Sequence, residues 1–422
     1  MTLKIRARRA INPYMSDISV ARQPIFDKDL NVFAYELLFQ GDDGRADSAD
    51  LIGAFGSMGL QDLVGSRPAC VRVTEQFLHD AVSLQLPADR LIVEVTDGPA
   101  AAIGALRQRG YLIALDEFEY RHELEPLIEH ASIIKLDVHK LGHQGLWHQM
   151  GLIQSRGKRL IGTRVETHEE LEFCKSLGLD YYQGHFLCQP KLVTKRTVPT
   201  NRLAKLSLLA ELNNPHADFD GLEKIISRDV GLSYRFLRYI NSAFFSLPHK
   251  VGSIRQALVL LGISAVKKWA TLLAMADIDD KPNELVVTAL IRAKMCELAA
   301  ASRPAREREE YFTTGMFSVV DALLDSPMDV VLSSLPLSDE IKDALHHHLG
   351  PKGVVLKAVL SYELARFEDL KALAPPGVSA QEIYTWAIAW AREAGVELEA
   401  ASAGSVPDAL PQAQQQAAPL TP

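Results

Sequence analysis

Carboxylates and amides recur at or near the ends of this chain's apolar runs. Glu36 interrupts NVFAYELLF, Glu94 interrupts LIVEVT, and Asp116 with Glu117 ends LIALDE. Lys135 and Asp137 end IIKLD, Glu166 follows RLIGTRV, and Gln183 lies within YYQGHF. Charge inside an apolar run is costly unless it is paired or bound to a metal ion. Repeated carboxylates near one rim therefore indicate one of two arrangements. One is a site for hard cations, which bind through oxygen, polarise a phosphate and acidify an attacking water. The other is a structural ion-pair network around Lys135.

Bringing these residues together requires strands that alternate with helices. VARQPIFD and NVFAYELLF are separated by a short polar turn at 28–30, which predicts a hairpin. Further strands are predicted at 70–74, 91–96, 112–116, 133–137, 159–163 and 181–186, with amphipathic helices such as 51–64, 100–109 and 168–177 between them. Strands separated by helices call for parallel pairing and right-handed crossovers. Eight strand candidates between residues 20 and 189 fit a compact α/β barrel, with an open doubly wound sheet as the alternative. Barrel chemistry lies at the C-terminal ends of the strands, where the polar residues are found. The opening hairpin makes one early strand antiparallel.

The character changes after Pro190. KLVTKRTVPTN reads as a linker, and from Arg202 onward apolar residues recur at helical spacing, as in Leu203, Leu206, Leu209 and Leu212. Ser253, Ser264 and Ser338 are predicted helix N-caps, and only a helix-turn-helix reading would place a turn at Gly231 and a second helix capped by Ser233. Without a heptad repeat this is a globular all-α domain. The closing GSVPDALPQAQQQAAPLTP reads as a disordered tail. The predicted units are 15–195, 196–400 and 401–422.

Of the 422 residues, 47% are hydrophobic and 23% charged, and the formal net charge is -8. That acidity disfavours wrapping a nucleic-acid backbone. The helical half holds a sequence that could pass for a helix-turn-helix (Arg228, Arg235, Arg238), but Leu232, Phe236, Leu237 and Ile240 have core spacing. Four scattered cysteines (Cys70, Cys174, Cys188, Cys296) suit reduced thiols in a cytosol. MTLKIRARRA lacks the apolar core of a secretory signal, and no apolar run is long enough for a membrane helix, so the expectation is a cytoplasmic protein without membrane contact.

RQPIFD, AYELLF, LIVEVTDG, LIALDEF, IIKLD, TRVET and DYYQGHFLCQP stand in the order of an EAL domain, which the chain resembles from Val20 to Pro190. The resemblance implies a modified TIM-like barrel with an antiparallel early strand. In active members such a barrel uses two Mg²⁺ or Mn²⁺ ions to hydrolyse cyclic-di-GMP. By this likeness Glu36 matches the glutamate of the EAL signature, here reading ELL, and Glu94, Asp116, Lys135, Glu166 and Gln183 match active-site positions. Gln23 and Gln40 belong to the degenerate nucleotide pocket, Gln40 where the family has a ligand-binding arginine. Arg72 replaces a metal-binding asparagine, Glu117 an aspartate, and Thr163 a glutamate. At ~4 Å and an effective dielectric of about 20, a fixed unit charge opposes another by roughly 4 kcal/mol, and a divalent ion by twice that. The site is therefore expected to be vestigial, with no catalytic residue and no metal or other cofactor. Mg²⁺ or Mn²⁺ is expected only if the phosphodiesterase site is active.

The stretch from Leu203 to Ala276 resembles an HDOD domain, a relative of HD phosphohydrolases, and the likeness continues more weakly through 312–338. No His–Asp pair follows Asn201, and His346, His347 and His348, adjacent on a helix, cannot chelate one ion together. The resemblance implies a non-catalytic regulator of cyclic-di-GMP-linked pathways such as motility and biofilm formation. Its expected partners are a signalling protein met by the HDOD domain, a second copy of the chain, and cyclic-di-GMP held weakly. The alternative is an active metal-dependent phosphodiesterase.

Overall fold

The computed structural model describes residues 19–402 apart from 41–50, 52–54, 56–58, 81–85, 154–155, 192–199, 279–280 and 368–369. All but the first two residues of the predicted tail 401–422, which end the last helix, and most of the predicted linker lie outside the described residues. Eight strands form a closed barrel: β1 Val20–Asp27, β2 Val32–Phe39, β3 Ala69–Arg72, β4 Leu91–Val95, β5 Leu112–Leu115, β6 Ile133–Asp137, β7 Arg159–Thr163 and β8 Tyr181–Gln183. Closure rules out the open doubly wound sheet. β1 pairs antiparallel with both β2 and β8, and the remaining pairs are parallel. The β1–β2 turn is tied by Asp27, whose Oδ1 accepts from the backbone N–H groups of Asp29 and Asn31 at 2.9 Å each. Around the barrel lie α1 Leu60–Val64, α2 Glu75–Asp80, α3 Ala100–Gln108, α4 Glu125–His130, α5 Val138–Ile153 and α6 His168–Ser176.

The two-residue period of a strand explains where the polar residues go. Ile25, Ala34, Cys70, Ile92, Ala114, Ile133 and Ile161 pack into one apolar layer inside the barrel. Two residues along each of these strands stand Gln23, Glu36, Arg72, Glu94, Asp116, Lys135 and Thr163. The inward faces thus build an apolar floor and, toward the C-terminal rim, a polar layer. The outward faces meet the helices, so strands such as LIVEV are buried throughout.

The rest of the chain is helical: α7 Thr200–Leu212, α8 Phe219–Arg228, α9 Val230–Ile240, α10 Ile254–Leu261, α11 Ile263–Ala276, α12 Asn283–Ala299, α13 Ala305–Phe317, α14 Val320–Leu324, α15 Met328–Ser334, α16 Asp339–His347, α17 Gly350–Glu363 and α18 Ala380–Ser402. Ser253 caps α10 by accepting from Gln256 N–H, as predicted. Ser338 stands at the N-cap of α16 without a side-chain cap bond. Two caps differ from expectation. Gly262, at φ 83°, precedes α11, and Ser264 lies inside the helix with its hydroxyl on Glu309. Asp229, not Ser233, caps α9, because α8 and α9 meet at that single residue. Leu206, Leu209 and Leu212 are buried, whereas Leu203 is exposed.

The helical half seals the seam between β1 and β8. Those strands pair only over Ile25–Asp27, leaving the first part of β1 with a free edge. Val20 N–H donates to Gln381 Oε1 at 2.6 Å, Arg22 N–H to Tyr384 Oη at 3.1 Å, and the Tyr362 hydroxyl to the Val20 carbonyl at 3.2 Å. Side chains of α17 and α18 thus satisfy an edge that would otherwise be a liability. Below them the Tyr35 hydroxyl of β2 donates to Glu284 of α12 at 2.9 Å, with the Arg22 guanidinium 4.3 Å from the Tyr35 ring.

Closure also requires β8 to leave the barrel tightly. A Cβ at Gly184 would lie 1.8 Å from the Val165 carbonyl oxygen. Gly184→Ala is expected to lower stability by about 3 kcal/mol or more, read as a drop in the urea midpoint of the full chain. An unchanged midpoint would show that this crossing is not needed.

Candidate functional site

Lys135, on β6 and fully buried, organises the rim. Its ammonium donates to Glu36 Oε2 of β2 at 2.8 Å and to Glu94 Oε1 of β4 at 2.6 Å, and stands 4.0 Å from Asp116 Oδ1 just beyond β5. Glu36 also accepts from Gln183 Nε2, which donates to Gln23 Oε1 at 2.8 Å. The Cys70 thiol donates to Glu94 Oε1 at 2.7 Å. Arg72, at the end of β3, turns its guanidinium inward onto Asp116 and lies 3.4 Å from Glu117.

Burial alone would lower the Lys135 ammonium, but Asp116, Glu36 and Glu94 hold it charged well above its ordinary range. Burial pushes the Glu94 carboxyl up, and repulsion from Glu36 adds to it, because Lys135 shares one charge among several acids. Burial would also raise Asp116, yet Lys135 and Arg72 together bring it below the usual range. The Cys70 thiol is pushed up by burial and by Glu94, so it stays protonated as a donor.

The structure therefore brings together Glu36, Glu94, Asp116, Lys135, Gln183, Gln23 and Arg72. It leaves Glu166, Gln40 and Glu117 exposed, while Thr163, inward at the end of β7, is bonded to backbone and not to this network. Glu166 is exposed beyond β7, where its backbone N–H donates to Glu170 at 2.8 Å. Gln40 is exposed past the end of β2, and Glu117 is exposed at the rim. The Thr163 hydroxyl lies 3.4 Å from the Leu136 carbonyl. Two contacts were not anticipated. Cys70 reads in the sequence only as one of four reduced thiols, and Arg164 pairs with Asp137 at 3.3 Å from an exposed position.

Two divalent cations do not fit this arrangement as it stands. Glu36 and Glu94 face an ammonium, Asp116 faces a guanidinium, and the position of Arg72 supplies no oxygen. Among the described residues no group of three His, Cys, Asp or Glu side chains is arranged to hold a metal ion. Glu94 Oε2 and Gln183 Oε1 are buried without a hydrogen-bond partner among the described residues, so the layer retains polar atoms able to accept further donors.

Comparison with known proteins agrees with this architecture. The HDOD domain model matches residues 199–324. Cyclic di-GMP phosphodiesterase CdgJ of Vibrio cholerae is 31% identical over 372 residues, 83% of this chain and 86% of that protein. The chain belongs to the EAL–HDOD family. Uncharacterized protein YuxH of Bacillus subtilis is 29% identical over 88% of this chain and 98% of its own length. A solved standalone EAL protein from Vibrio cholerae O395, in a c-di-GMP bound form, is 18% identical over 40% of this chain and 90% of that one, with a TM-score of 0.31. In this EAL–HDOD chain the HDOD match ends within α14, so Gln381, Tyr384 and Tyr362, which hold β1, lie beyond it.

Two measurements test the electrostatics. Lys135→Met leaves buried carboxylates uncompensated and is expected to cost about 3–5 kcal/mol. Arg164→Ala, at an exposed pair, should change stability by less than about 1 kcal/mol. Equal denaturant midpoints for the two variants would contradict the network. Asp116, with its folded pKa lowered, contributes stability that is present above its unfolded value of about 3.9 and lost as pH falls through the lowered value. Asp116→Asn should therefore flatten the acid limb of the stability–pH curve below about pH 4. An unaltered limb would mean that Asp116 gains nothing from Lys135 and Arg72.

Proposed function

We propose that this EAL–HDOD protein is a non-catalytic regulator in cyclic-di-GMP-linked signalling, its barrel a sensing or docking module and its HDOD domain the contact for a signalling protein. The observation that carries this reading is the Arg72–Asp116 ion pair inside the barrel mouth. A guanidinium bound to a carboxylate that metal ions would need is a fixed competitor for them. Thr163 supplies a neutral hydroxyl where the resembling enzymes have a carboxylate, which weakens the same site further. Cyclic-di-GMP is then held weakly, because the exposed Gln40 brings no guanidinium to pair a phosphate. On the helical side His346 and His347 stand exposed at the end of α16. The four cysteines are free, in keeping with a reducing cytoplasm. The unit boundaries we assign are 15–195 for the barrel and 196–400 for the helical domain, with 401–422 as a tail.

A second reading, metal-dependent hydrolysis of cyclic-di-GMP, is favoured by the name and 31% identity of the Vibrio cholerae relative. The decisive experiment incubates the purified chain with cyclic-di-GMP and Mg²⁺ or Mn²⁺, following linear dinucleotide and ligand binding together. No product is expected from the wild type, and product is expected from Arg72→Asn combined with Thr163→Glu. Wild-type turnover that disappears in Glu36→Ala would establish the second reading and discard the first.

A further inference from the structure

The chain enters the barrel at its mouth. β1 runs antiparallel to β2, with Val20 opposite Phe39 and Gln23 opposite Glu36, and the Gln40 N–H donates to the Ser19 carbonyl at 2.9 Å. Ser19 therefore stands past the polar layer, on the rim where β2 ends. The residues ahead of it include Lys4, Arg6, Arg8 and Arg9, with no acid before Asp17. They lie outside the described residues, but their tether is short. From position 9 to position 19 the chain spans at most about 33 Å. A barrel of eight strands spaced about 4.8 Å apart is about 15 Å across, so this tether reaches every part of the rim.

That rim is acidic, and most of its acids are free. Glu75, Asp97, Glu117, Glu119 and Glu166 are exposed on the stretches that lead out of β3, β4, β5 and β7. Glu117 lies near Arg72, but Glu75, Asp97, Glu119 and Glu166 have no ion-pair partner among the described residues. The exposed cations leading out of β3–β7 are fewer: Arg121 and Lys140, besides Arg164, which Asp137 holds. Beneath the rim stand the two unbonded acceptors, Glu94 Oε2 on a residue 0% exposed and Gln183 Oε1 on a residue 3% exposed. Both side chains project from the inward faces of their strands, so a donor that satisfies them comes from the mouth.

We propose that the barrel mouth receives the basic segment 4–9 of this same chain, its guanidinium groups pairing with the free rim acids and donating toward Glu94 and Gln183. Charge-assisted pairing of guanidinium with carboxylate supplies the orientation, and the tether supplies a high effective concentration. The proposal deepens the reading of the barrel as a docking module and rests on it, since metal ions in the mouth would take the same carboxylates.

Fluorescence anisotropy of a labelled peptide of residues 1–12, titrated with the full chain at low salt and without nucleotide or metal, tests this. Neutralising the tethered copy (Lys4→Gln, Arg6→Gln, Arg8→Gln and Arg9→Gln) leaves the mouth open, and this chain is expected to bind the peptide. The intact chain should bind it about tenfold more weakly or worse, because its own segment competes. Adding Asp97→Asn, Glu119→Gln and Glu166→Gln to the neutralised chain should weaken binding by about tenfold or more, with an unchanged thermal midpoint showing that it folds. Asp339→Asn, at an exposed acid of α16 in the helical half, should leave binding unchanged. The proposal is overturned if the neutralised chain does not bind the peptide, if the rim variant binds it as tightly, or if Asp339→Asn weakens it equally. It is also overturned if the intact chain binds the peptide as tightly as the neutralised one, which would leave the mouth to a basic segment of another protein. Wild-type turnover of cyclic-di-GMP would discard the docking-module reading, whereas absent peptide binding without turnover would discard this occupant alone.

Discussion

One ammonium group, Lys135 Nζ, sets the charge at the centre of the barrel mouth. It touches acids from β2 and β4 and stands near a third acid beyond β5, so the ends of four strands converge on a single buried cation. Three buried carboxylates against one lysine would leave two negative charges in a poorly solvated layer. Arg72 reduces that excess to one, and the Glu94 carboxyl is pushed up first by its burial and then by repulsion from Glu36. A layer of this kind adds little net stability, because desolvation consumes most of the Coulomb gain. Its larger consequence is positional: each strand end is fixed relative to the lysine, not only to its neighbours in the sheet.

The same alternation that builds the mouth also ties it to the helical half. On β1, Gln23 faces the barrel interior while Arg22 faces Glu284 and Tyr384. On β2, Glu36 faces Lys135 while its neighbour Tyr35 donates to Glu284. Burial and the adjacent Glu284 carboxylate push the Tyr35 phenol up, so it remains a donor across the neutral range. Successive residues on a strand project to opposite faces. A displacement of Glu36 is therefore mechanically a displacement of Tyr35, and the strands nearest the helical half also carry two residues of the polar layer.

Much of this was legible in the sequence because strand and helix periods are simple. Eight apolar runs located eight strands, and the polar turn at 28–30 located the antiparallel hairpin. The charged residues that joined the network are those at even spacing from an inward apolar residue, such as Cys70 to Arg72 and Ile92 to Glu94. Glu166 and Gln40 failed because they lie past the ends of β7 and β2, where the period no longer constrains direction. Arg164, at φ 56°, turns the chain just before Glu166 and so removes it from the rim. Ser264 and Ser233 were plausible caps by residue type, but a helix starts where the preceding chain permits, at Gly262 and Asp229. The contact between the halves was invisible, since Arg22, Tyr35 and Glu284 each look like ordinary partly polar positions until the halves are assembled.

The direction of Arg72 follows from its strand. Arg72 pairs in register with Glu94 on β4, and Cys70, two residues earlier, lies in the inner apolar layer. A side chain at position 72 therefore projects into the mouth whatever its chemistry, because reversing it would turn Cys70 outward as well. Inside, the nearest acid is Asp116, itself fixed by donating neighbours that include the backbone N–H of Glu117 at 2.8 Å. A long cation at this position meets that acid by geometry alone. A short amide there would leave Asp116 to Lys135 at 4.0 Å and open toward the rim. The identity of one residue at the end of β3 thus decides whether Asp116 is paired by a guanidinium from within the chain in addition to Lys135.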